Sequence, residues 1–252
     1  MKRFKQFLVT ICLLSILFLA ESKVYAQTKE CNADLKISSS IMSRYVWRGL
    51  QLGGAYPSIQ PTMEFSKGGL AIGAWGAFST NGLQSQEIDL YASYTFAKEM
   101  FTFTLTDYFF PGDTVDYNYF VYEKDATSHL FEASLKFNGT EKIPFTLLLA
   151  TNIYGADTKK LNGDNTFSSY IELGYETKIK EVELSCFLGS ALNAPGDDIT
   201  GFYGNTKTGI INLGVTAEKE IQISDKFSLP ISSSLIFNPY AKKIFFVFGF
   251  TL

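Results

Sequence analysis

The sequence predicts an all-β protein, a closed antiparallel transmembrane β-barrel of twelve strands, and three observations lead to this prediction. First, apolar and polar residues alternate in segment after segment beyond residue 26, which places successive side chains on opposite faces of a strand. Second, long and short connections between these segments alternate, as they do in outer-membrane barrels. Third, the chain ends on an alternating apolar segment, Ile244 to Leu252. A sheet with one apolar and one polar face follows.

The composition excludes several other classes of protein. The 252 residues are 15% aromatic and only 19% charged, against roughly 25% charged in an average soluble domain. One histidine and three cysteines leave few ligands for a zinc or iron–sulfur centre. A net charge of −3 provides no basic surface for nucleic acid. We therefore expect neither a cofactor nor a nucleic-acid partner.

The first 26 residues have the pattern of a secretory signal peptide. Basic residues open the chain, an apolar run covers 7–20, and Val24 and Ala26 stand three residues and one residue before a cleavage site after Ala26. A membrane-anchoring helix needs about 20 apolar residues, and this run is shorter. We expect residues 1–26 to be the signal peptide and residues 27–252 to form the barrel.

The twelve alternating segments define the predicted strands. In chain order they are 33–48, 58–65, 70–79, 87–96, 100–109, 129–137, 144–152, 167–177, 182–191, 207–218, 226–237 and 244–252.

Each predicted strand follows from the contrast between its two faces. The apolar face carries Leu35, Ile37, Ile41, Tyr45 and Trp47 in the first strand, Ile59, Met63 and Phe65 in the second, Ile88, Leu90, Ala92, Tyr94 and Phe96 in the fourth, Phe101, Phe103 and Leu105 in the fifth, and Ile244, Phe246, Phe248, Phe250 and Leu252 in the last. The other face carries the charges within the strands, namely Lys36, Arg44, Arg48, Glu64, Glu87, Asp89, Glu132, Lys136, Glu172, Glu176, Glu183 and Glu218. Only Asp107 places a charge on the apolar face, and we expect it above the hydrocarbon band.

The connections and the aromatic residues distinguish a membrane barrel from a soluble sandwich with the same alternation. The odd-numbered connections are the longer ones, such as 110–128, and most even-numbered ones have three to seven residues, such as 66–69 and 97–99. Aromatic residues of the apolar face gather at both strand ends, which predicts two girdles: Tyr45, Trp47, Phe78, Phe167 and Phe237 near the loops, and Phe65, Phe96, Phe137, Phe145, Tyr175 and Phe227 near the turns. Because hydrocarbon offers no hydrogen-bond partner, such a sheet must close.

The predicted pore-lining residues lie on the polar face. They are Arg44, Arg48, Glu87, Asp89, Glu132, Lys136 and Glu172. Arg44 and Arg48 are four residues apart in the first predicted strand, and Glu87, Asp89 and Glu132 are expected at a similar height. One interpretation is a charged constriction that selects solutes; the other is that these groups pair and fill a narrow barrel. An excess of acids in the lumen favours cations weakly.

Several segments also resemble a known family. Ser43-Arg44-Tyr45-Val46-Trp47-Arg48-Gly49, followed by Pro57-Ser58-Ile59-Gln60, Ala74-Trp75-Gly76 and Glu87-Ile88-Asp89-Leu90-Tyr91-Ala92, resembles the TorF family of small outer-membrane porins. The resemblance covers roughly residues 38–94. The family usually has an aspartate at the position of Arg44. The resemblance implies a barrel and a pore, and it implies no solute.

The sequence therefore predicts a bacterial outer-membrane porin-like channel for passive diffusion of small hydrophilic solutes. Its expected partners are outer-membrane lipid, lipopolysaccharide and the barrel assembly machinery. One alternative is a plugged structural or surface-binding barrel. Another is a lipid-modifying enzyme, for which the candidates are Ser128 and His129; strand neighbours point to opposite faces, so we expect no enzyme.

Overall fold

A computed structural model describes residues 33–81, 86–111, 118–124, 126–196 and 198–252. The predicted signal peptide, residues 1–26, lies outside the described residues. The described residues contain fourteen strands: β1 (Asp34–Met42), β2 (Tyr45–Trp47), β3 (Leu50–Leu52), β4 (Ser58–Lys67), β5 (Leu70–Ser79), β6 (Glu87–Phe96), β7 (Phe101–Phe109), β8 (His129–Phe137), β9 (Phe145–Gly155), β10 (Ser169–Ile179), β11 (Val182–Ala191), β12 (Gly209–Ser224), β13 (Phe227–Asn238) and β14 (Lys243–Thr251).

Twelve of these strands form a closed antiparallel barrel, so the predicted fold class is confirmed. The order around the barrel is β1, β14 and then each preceding strand in turn down to β4, which pairs with β1 again. Because the sheet closes, each of these twelve strands has a neighbouring strand on both sides. The two remaining strands, β2 and β3, pair only with each other.

The alternation of the sequence becomes the difference between the outer and inner faces of the barrel. In β14, Phe246 is 59% exposed, whereas its neighbours Phe245 and Val247 are 6% and 5% exposed. The same contrast occurs around the barrel, where leucine, isoleucine and phenylalanine side chains stand exposed on the outside. The outer surface is therefore broadly apolar.

The inside of the barrel holds two apolar clusters near the loop end. One consists of Ala150, Tyr170, Ala191, Tyr203 and Ile211. The other consists of Ile236, Phe245 and Val247, with Met42, Val46 and Phe187 packed against it. Inward-facing residues are thus not uniformly polar, and the apolar ones gather where the β2–β3 hairpin meets the wall.

The structure corrects the first predicted strand. The alternation predicted one strand over 33–48, but β1 ends at Met42 and the chain enters the separate β2–β3 hairpin at Tyr45. Tyr45 and Trp47, predicted in the outer aromatic girdle, instead contact inward residues: the Tyr45 ring lies 5.3 Å from that of Trp75, and the Trp47 ring lies 5.7 Å from that of Tyr108. In the second predicted girdle, at the turn end, Phe65, Phe145 and Phe227 are exposed.

Candidate functional site

The hairpin formed by β2 and β3 is the element that positions the candidate site. Its register pairs Tyr45 with Leu52 and Trp47 with Leu50, so Arg48 and Gly49 form a two-residue turn. Both have positive φ, +48° and +76°, as the common turns of two-residue hairpins require. The Gly49 carbonyl accepts a hydrogen bond from Asn238 Nδ2 at 3.0 Å, which ties the hairpin tip to β13.

The tip of this hairpin places Arg48 inside the barrel. Its guanidinium donates to both carboxylate oxygens of Glu132 on β8, at 2.5 and 2.9 Å. It also donates to the Tyr203 hydroxyl at 2.9 Å. A two-point arginine–carboxylate contact is strong and directional. Arg48 therefore connects the hairpin to the far wall of the barrel and to the loop between β11 and β12.

Aromatic rings enclose this ion pair. The guanidinium carbon of Arg48 lies 4.4 Å from the centre of the Trp47 ring and 4.6 Å from that of Tyr170. Trp47 stacks on Tyr203 at 5.9 Å. Such faces attract a cation, more strongly when water is excluded. Hairpin residues 45–52, together with Phe202 and Tyr203, which pack against Trp47, form a plug.

Burial perturbs the titration of groups in the plug. Burial raises the pKa of Tyr45 well above its usual value, and the carboxylates of Glu87 and Asp89 raise it further. Burial also raises the pKa of Tyr203, although the neighbouring Arg48 charge acts in the opposite direction. For Arg48, burial lowers the pKa, but the contacts with Tyr203 and Glu132 outweigh it and the pKa is raised. These tyrosines therefore stay neutral and Arg48 stays charged at neutral pH.

The other predicted pore-lining residues fall at different heights. Arg44 lies between β1 and the hairpin, and its Nη1 donates to Gln51 Oε1 at 3.0 Å. Glu172 on β10 accepts hydrogen bonds from Tyr170 and from Asn212 Nδ2. Lys136 is 3.9 Å from Glu176, and both are substantially exposed. The structure thus joins Arg48 with Glu132 directly and with Glu172 through Tyr170, but it does not group Arg44 or Lys136 with them.

Glu87 and Asp89 form a separate acidic pair at the start of β6. Both side chains face inward and are almost fully buried. They contact each other, and the Tyr45 hydroxyl is a hydrogen-bond partner of Glu87. The predicted proximity of these acids to Arg48 is not realised as an ion pair in the described residues, because Arg48 pairs with Glu132.

Inward-facing residues of the barrel line two cavities, one beside the plug and one toward the turns. The outer cavity measures about 400 Å³ and is lined by Tyr45, Ser58 and Glu87 among others. The inner cavity measures about 1070 Å³ and is lined by residues nearer the turns, including Gln60 and Glu218. Ser58 and Gln60 are neighbours on the inward side of β4, and Gln60 Nε2 donates to Ser58 Oγ at 3.4 Å. Ser58 lines the outer cavity and Gln60 lines the inner one. Along β4, this hydrogen-bonded pair therefore stands between the two cavities.

Asp107, the charge on the apolar face, is not left unpaired. His129 Nδ1 lies 2.7 Å from Asp107 Oδ1, and His129 Nε2 lies 2.6 Å from the Tyr119 carbonyl oxygen. Tyr122 stacks on the His129 ring at 4.3 Å. The loop before β8 thus covers the pair on the outside of the barrel. Both ring nitrogens have partners, so the His129 ring has no nitrogen left to activate Ser128.

Sequence reasoning missed the plug and its wall contacts. Tyr170, Tyr203 and the Ser58–Gln60 pair were not predicted as parts of the site. The sequence signal that could have indicated the hairpin is Arg48-Gly49, which lies between two short segments of alternating apolar residues. Glycine in a two-residue connection is typical of tight hairpins. Nothing in the local sequence indicates that Tyr203 would return to Arg48.

The model of a family described as bacterial protein of unknown function, Gcw_chp, matches residues 26–193, two thirds of the 252-residue chain. No curated protein matches the sequence. In the described part of the chain, no helix has the length and apolarity needed to cross a membrane.

Proposed function

The chain belongs to the Gcw_chp family of bacterial proteins of unknown function, and we propose that it is an outer-membrane channel for passive diffusion of small hydrophilic solutes. A closed twelve-strand barrel is compatible with an outer-membrane protein. The apolar outer surface supports this location, since an apolar surface of this extent is costly in water. In this proposal the outer face contacts lipid and lipopolysaccharide, and the barrel assembly machinery inserts the chain.

The observation that carries the proposal is the pair of cavities, one beside the plug and one toward the turns. Both are lined in part by polar side chains, as a path for hydrophilic solutes requires. Ser58 lines the outer cavity and Gln60, two residues further along β4, lines the inner one, whereas Arg48 and its aromatic neighbours fill the region toward β8 and β10. We place the solute path along β4, with the Ser58–Gln60 pair as its constriction. The resemblance to TorF porins supports the same proposal.

A second candidate function is a plugged structural or surface-binding barrel. The specific observation in its favour is the two-point contact between Arg48 and Glu132, which holds the plug across the lumen. A plug that never moves and leaves no path along β4 would prevent conduction. We propose no catalytic role, because His129 is engaged by Asp107 and by the Tyr119 carbonyl.

Single-channel recording tests the proposal. The full-length mature protein, purified in detergent and inserted into a planar bilayer, is expected to conduct small ions. Gln60→Ala is expected to raise the conductance, because it removes a side chain at the constriction. Gln222→Ala is the matched control: Gln222 also lines the inner cavity but is exposed near the β12–β13 turn, so the conductance should not change.

The result against a channel would be a folded protein that does not conduct. Folding is checked by heat-modifiable migration in gels, which reports a closed barrel. If both the wild type and Gln60→Ala migrate as folded barrels and neither conducts, the plugged barrel is the correct function. Solubility of the folded protein without detergent would contradict the membrane location.

A further inference from the structure

The acidic pair Glu87 and Asp89 is buried and has no basic partner among the described residues. Glu87 is 4% exposed and Asp89 is 6% exposed. Neither forms an ion pair with a basic residue in the described part of the chain. Removing a carboxylate from water is costly unless it gains an opposite charge or hydrogen bonds. Two carboxyl groups in contact can share one proton, which leaves the pair with one negative charge for a cation in the adjoining cavity to balance.

The two arginines of the plug region form no ion pair with these acids in the described part of the chain. Arg48 uses its guanidinium for Glu132 and Tyr203. Arg44 Nη1 donates to Gln51 on the hairpin, and its buried Nε has no hydrogen-bond partner. One oxygen of each acid, Glu87 Oε2 and Asp89 Oδ1, is buried and has no hydrogen-bond partner. The uncompensated acceptors are thus specific atoms, and one of them belongs to a residue that lines a cavity.

The outer cavity beside Glu87 has room for a ligand and the chemistry to hold a cation. Its volume is about 400 Å³, and its wall includes Glu87, Tyr45, Phe110, Ser58, Ser79 and Gln86. Carboxylate supplies the counter-charge, and the aromatic rings can add cation–π attraction. The hydroxyl and amide groups can accept the N–H bonds of an ammonium group. A bare metal ion fits less well, since the described residues contain no group of three metal-ligating side chains.

We propose that the outer cavity binds small organic ammonium ions, with Glu87 as the counter-charge and Asp89 behind it. Within the proposed function, this site defines the substrate class as cationic solutes. These solutes bind in the outer cavity, beside the constriction on β4. The proposal rests on that function for the passage of the solute, but the binding itself does not require conduction. It can therefore be tested separately.

Isothermal titration calorimetry of the purified full-length mature protein in detergent tests the binding. The probe is tetramethylammonium, and tert-butanol serves as an uncharged compound of similar shape. Saturable binding of tetramethylammonium, without binding of tert-butanol, is expected for the wild type. Glu87→Gln, which keeps the shape but removes the charge, should weaken the binding at least ~10-fold, because a quaternary ammonium has no N–H to donate and depends on the counter-charge of Glu87.

A matched variant separates the site from general negative charge. Glu218→Gln makes the same change at a lumen residue of the inner cavity and should leave tetramethylammonium affinity unchanged. Equal weakening by both variants would overturn the proposal, because the cation would then respond only to net charge. Absence of saturable binding to a folded wild-type barrel would also overturn it. A barrel that binds tetramethylammonium at Glu87 but does not conduct would keep this inference and reject the channel.

Discussion

Arg48 shows how one residue can serve both a turn and a long-range contact. Its backbone has a φ of +48°, which only a tight turn commonly requires of a residue with a side chain. Its side chain extends to Glu132, 84 positions further along the chain. The sequence placed both residues in the lumen but did not indicate which acid would pair with Arg48, because several acids share the polar face. Only the curvature of the closed barrel selects Glu132.

Breaking this pair should destabilise the protein. The side chains of Arg48 and Glu132 are only 10% and 3% exposed, so Arg48→Met leaves a buried carboxylate without its cation. We expect a loss of about 3–5 kcal/mol in the free energy of unfolding, measured by denaturant unfolding in lipid vesicles. Adding Glu132→Gln to Arg48→Met should recover much of that loss, because the unpaired charge is then gone.

The control for this prediction is a second lumen ion pair. Lys136 and Glu176 lie 3.9 Å apart, and their side chains are 44% and 54% exposed. Lys136→Met should cost about 0–1 kcal/mol, as expected for an exposed pair. A similar cost for Arg48→Met and Lys136→Met would show that the Arg48–Glu132 contact is solvated and does not hold the plug.

Asp107 is a second residue whose role depends on tertiary contacts. The sequence identified it as the charge on the apolar face and placed it above the hydrocarbon band. The structure adds a specific partner, His129, on the neighbouring strand. His129 is fully buried beneath the loop that contains Tyr119 and Tyr122. This pairing lets a carboxylate stand on an apolar surface without an exposed charge.

The β2–β3 hairpin is the element that differs most from the sequence prediction. Alternation continues from β1 through Tyr45 and Trp47, and period two alone cannot distinguish one long strand from a strand followed by a hairpin. The inward turn occurs because Val46 packs on one apolar inner cluster and Trp47 and Leu50 pack on the other. Those clusters come from strands β9 to β14, which the first strand cannot anticipate.

The fit of the hairpin tip against the wall can be tested at Gly49. A Cβ at this position would lie 1.9 Å from the Ile211 carbonyl oxygen, which is backbone and cannot move aside. Gly49→Ala should therefore unseat the hairpin and expose the indole rings. Both tryptophans of the chain, Trp47 and Trp75, lie in or against the hairpin, so we expect a red shift of the intrinsic fluorescence.

Gly163→Ala provides the matched comparison. Gly163 also has a positive φ, +83°, but a Cβ there would meet no atom within 4 Å. Gly163→Ala therefore carries the conformational cost of an alanine at a positive φ, about 1 kcal/mol, without the clash. Its emission spectrum should match the wild type. An unshifted spectrum for Gly49→Ala would mean that the tip has room and that the plug is not held by this contact.

At the scale of the whole molecule, closure depends on a short seam. Strands β1 and β14 share only three register pairs, Ser40 with Thr251, Ile41 with Phe250 and Met42 with Gly249. Backbone hydrogen bonds between Ser39 and Leu252, at 2.9 and 3.0 Å, extend the contact to the end of the chain. By comparison, β4 and β5 share eight register pairs. The seam is the place where the barrel is least strongly held.

Gly249→Ala should open the barrel at this seam. A Cβ at Gly249 would lie 2.4 Å from both the Ile41 carbonyl oxygen and the Met42 sulfur, so β14 cannot approach β1. We expect the heat-modifiable folded band to decrease in semi-native gels after refolding. The reason is that three register pairs cannot absorb a displacement that longer pairings tolerate.

Gly73→Ala tests whether the seam is special or whether any crowded glycine has the same effect. Gly73 lies between two pairings of eight residues each, and a Cβ there would lie 2.4 Å from the Tyr91 hydroxyl. This variant should lose stability but still give the folded band. Equal loss of the band in both variants would contradict a weak seam.

The sequence by itself determined the barrel, its strand number and the assignment of outer and inner faces. Eleven of the twelve predicted strands lie close to observed barrel strands, from 70–79 and 129–137, which match β5 and β8, to 244–252, which overlaps β14. The physical reason is that a strand's period of two is local, and each segment records which of its faces meets an apolar environment. The positions of the turns, and with them the alternating direction of successive strands, follow from the same local pattern.

Only the tertiary structure decided what fills the barrel. The departure of the chain from β1 after Met42, the pairing of Arg48 with Glu132 and the return of Tyr203 to both depend on residues far apart in sequence. Closure brings these residues within reach, and their contacts are selected by geometry across the lumen. A polar face in the sequence predicts which side chains point inward, but the space that they share exists only once the sheet has closed.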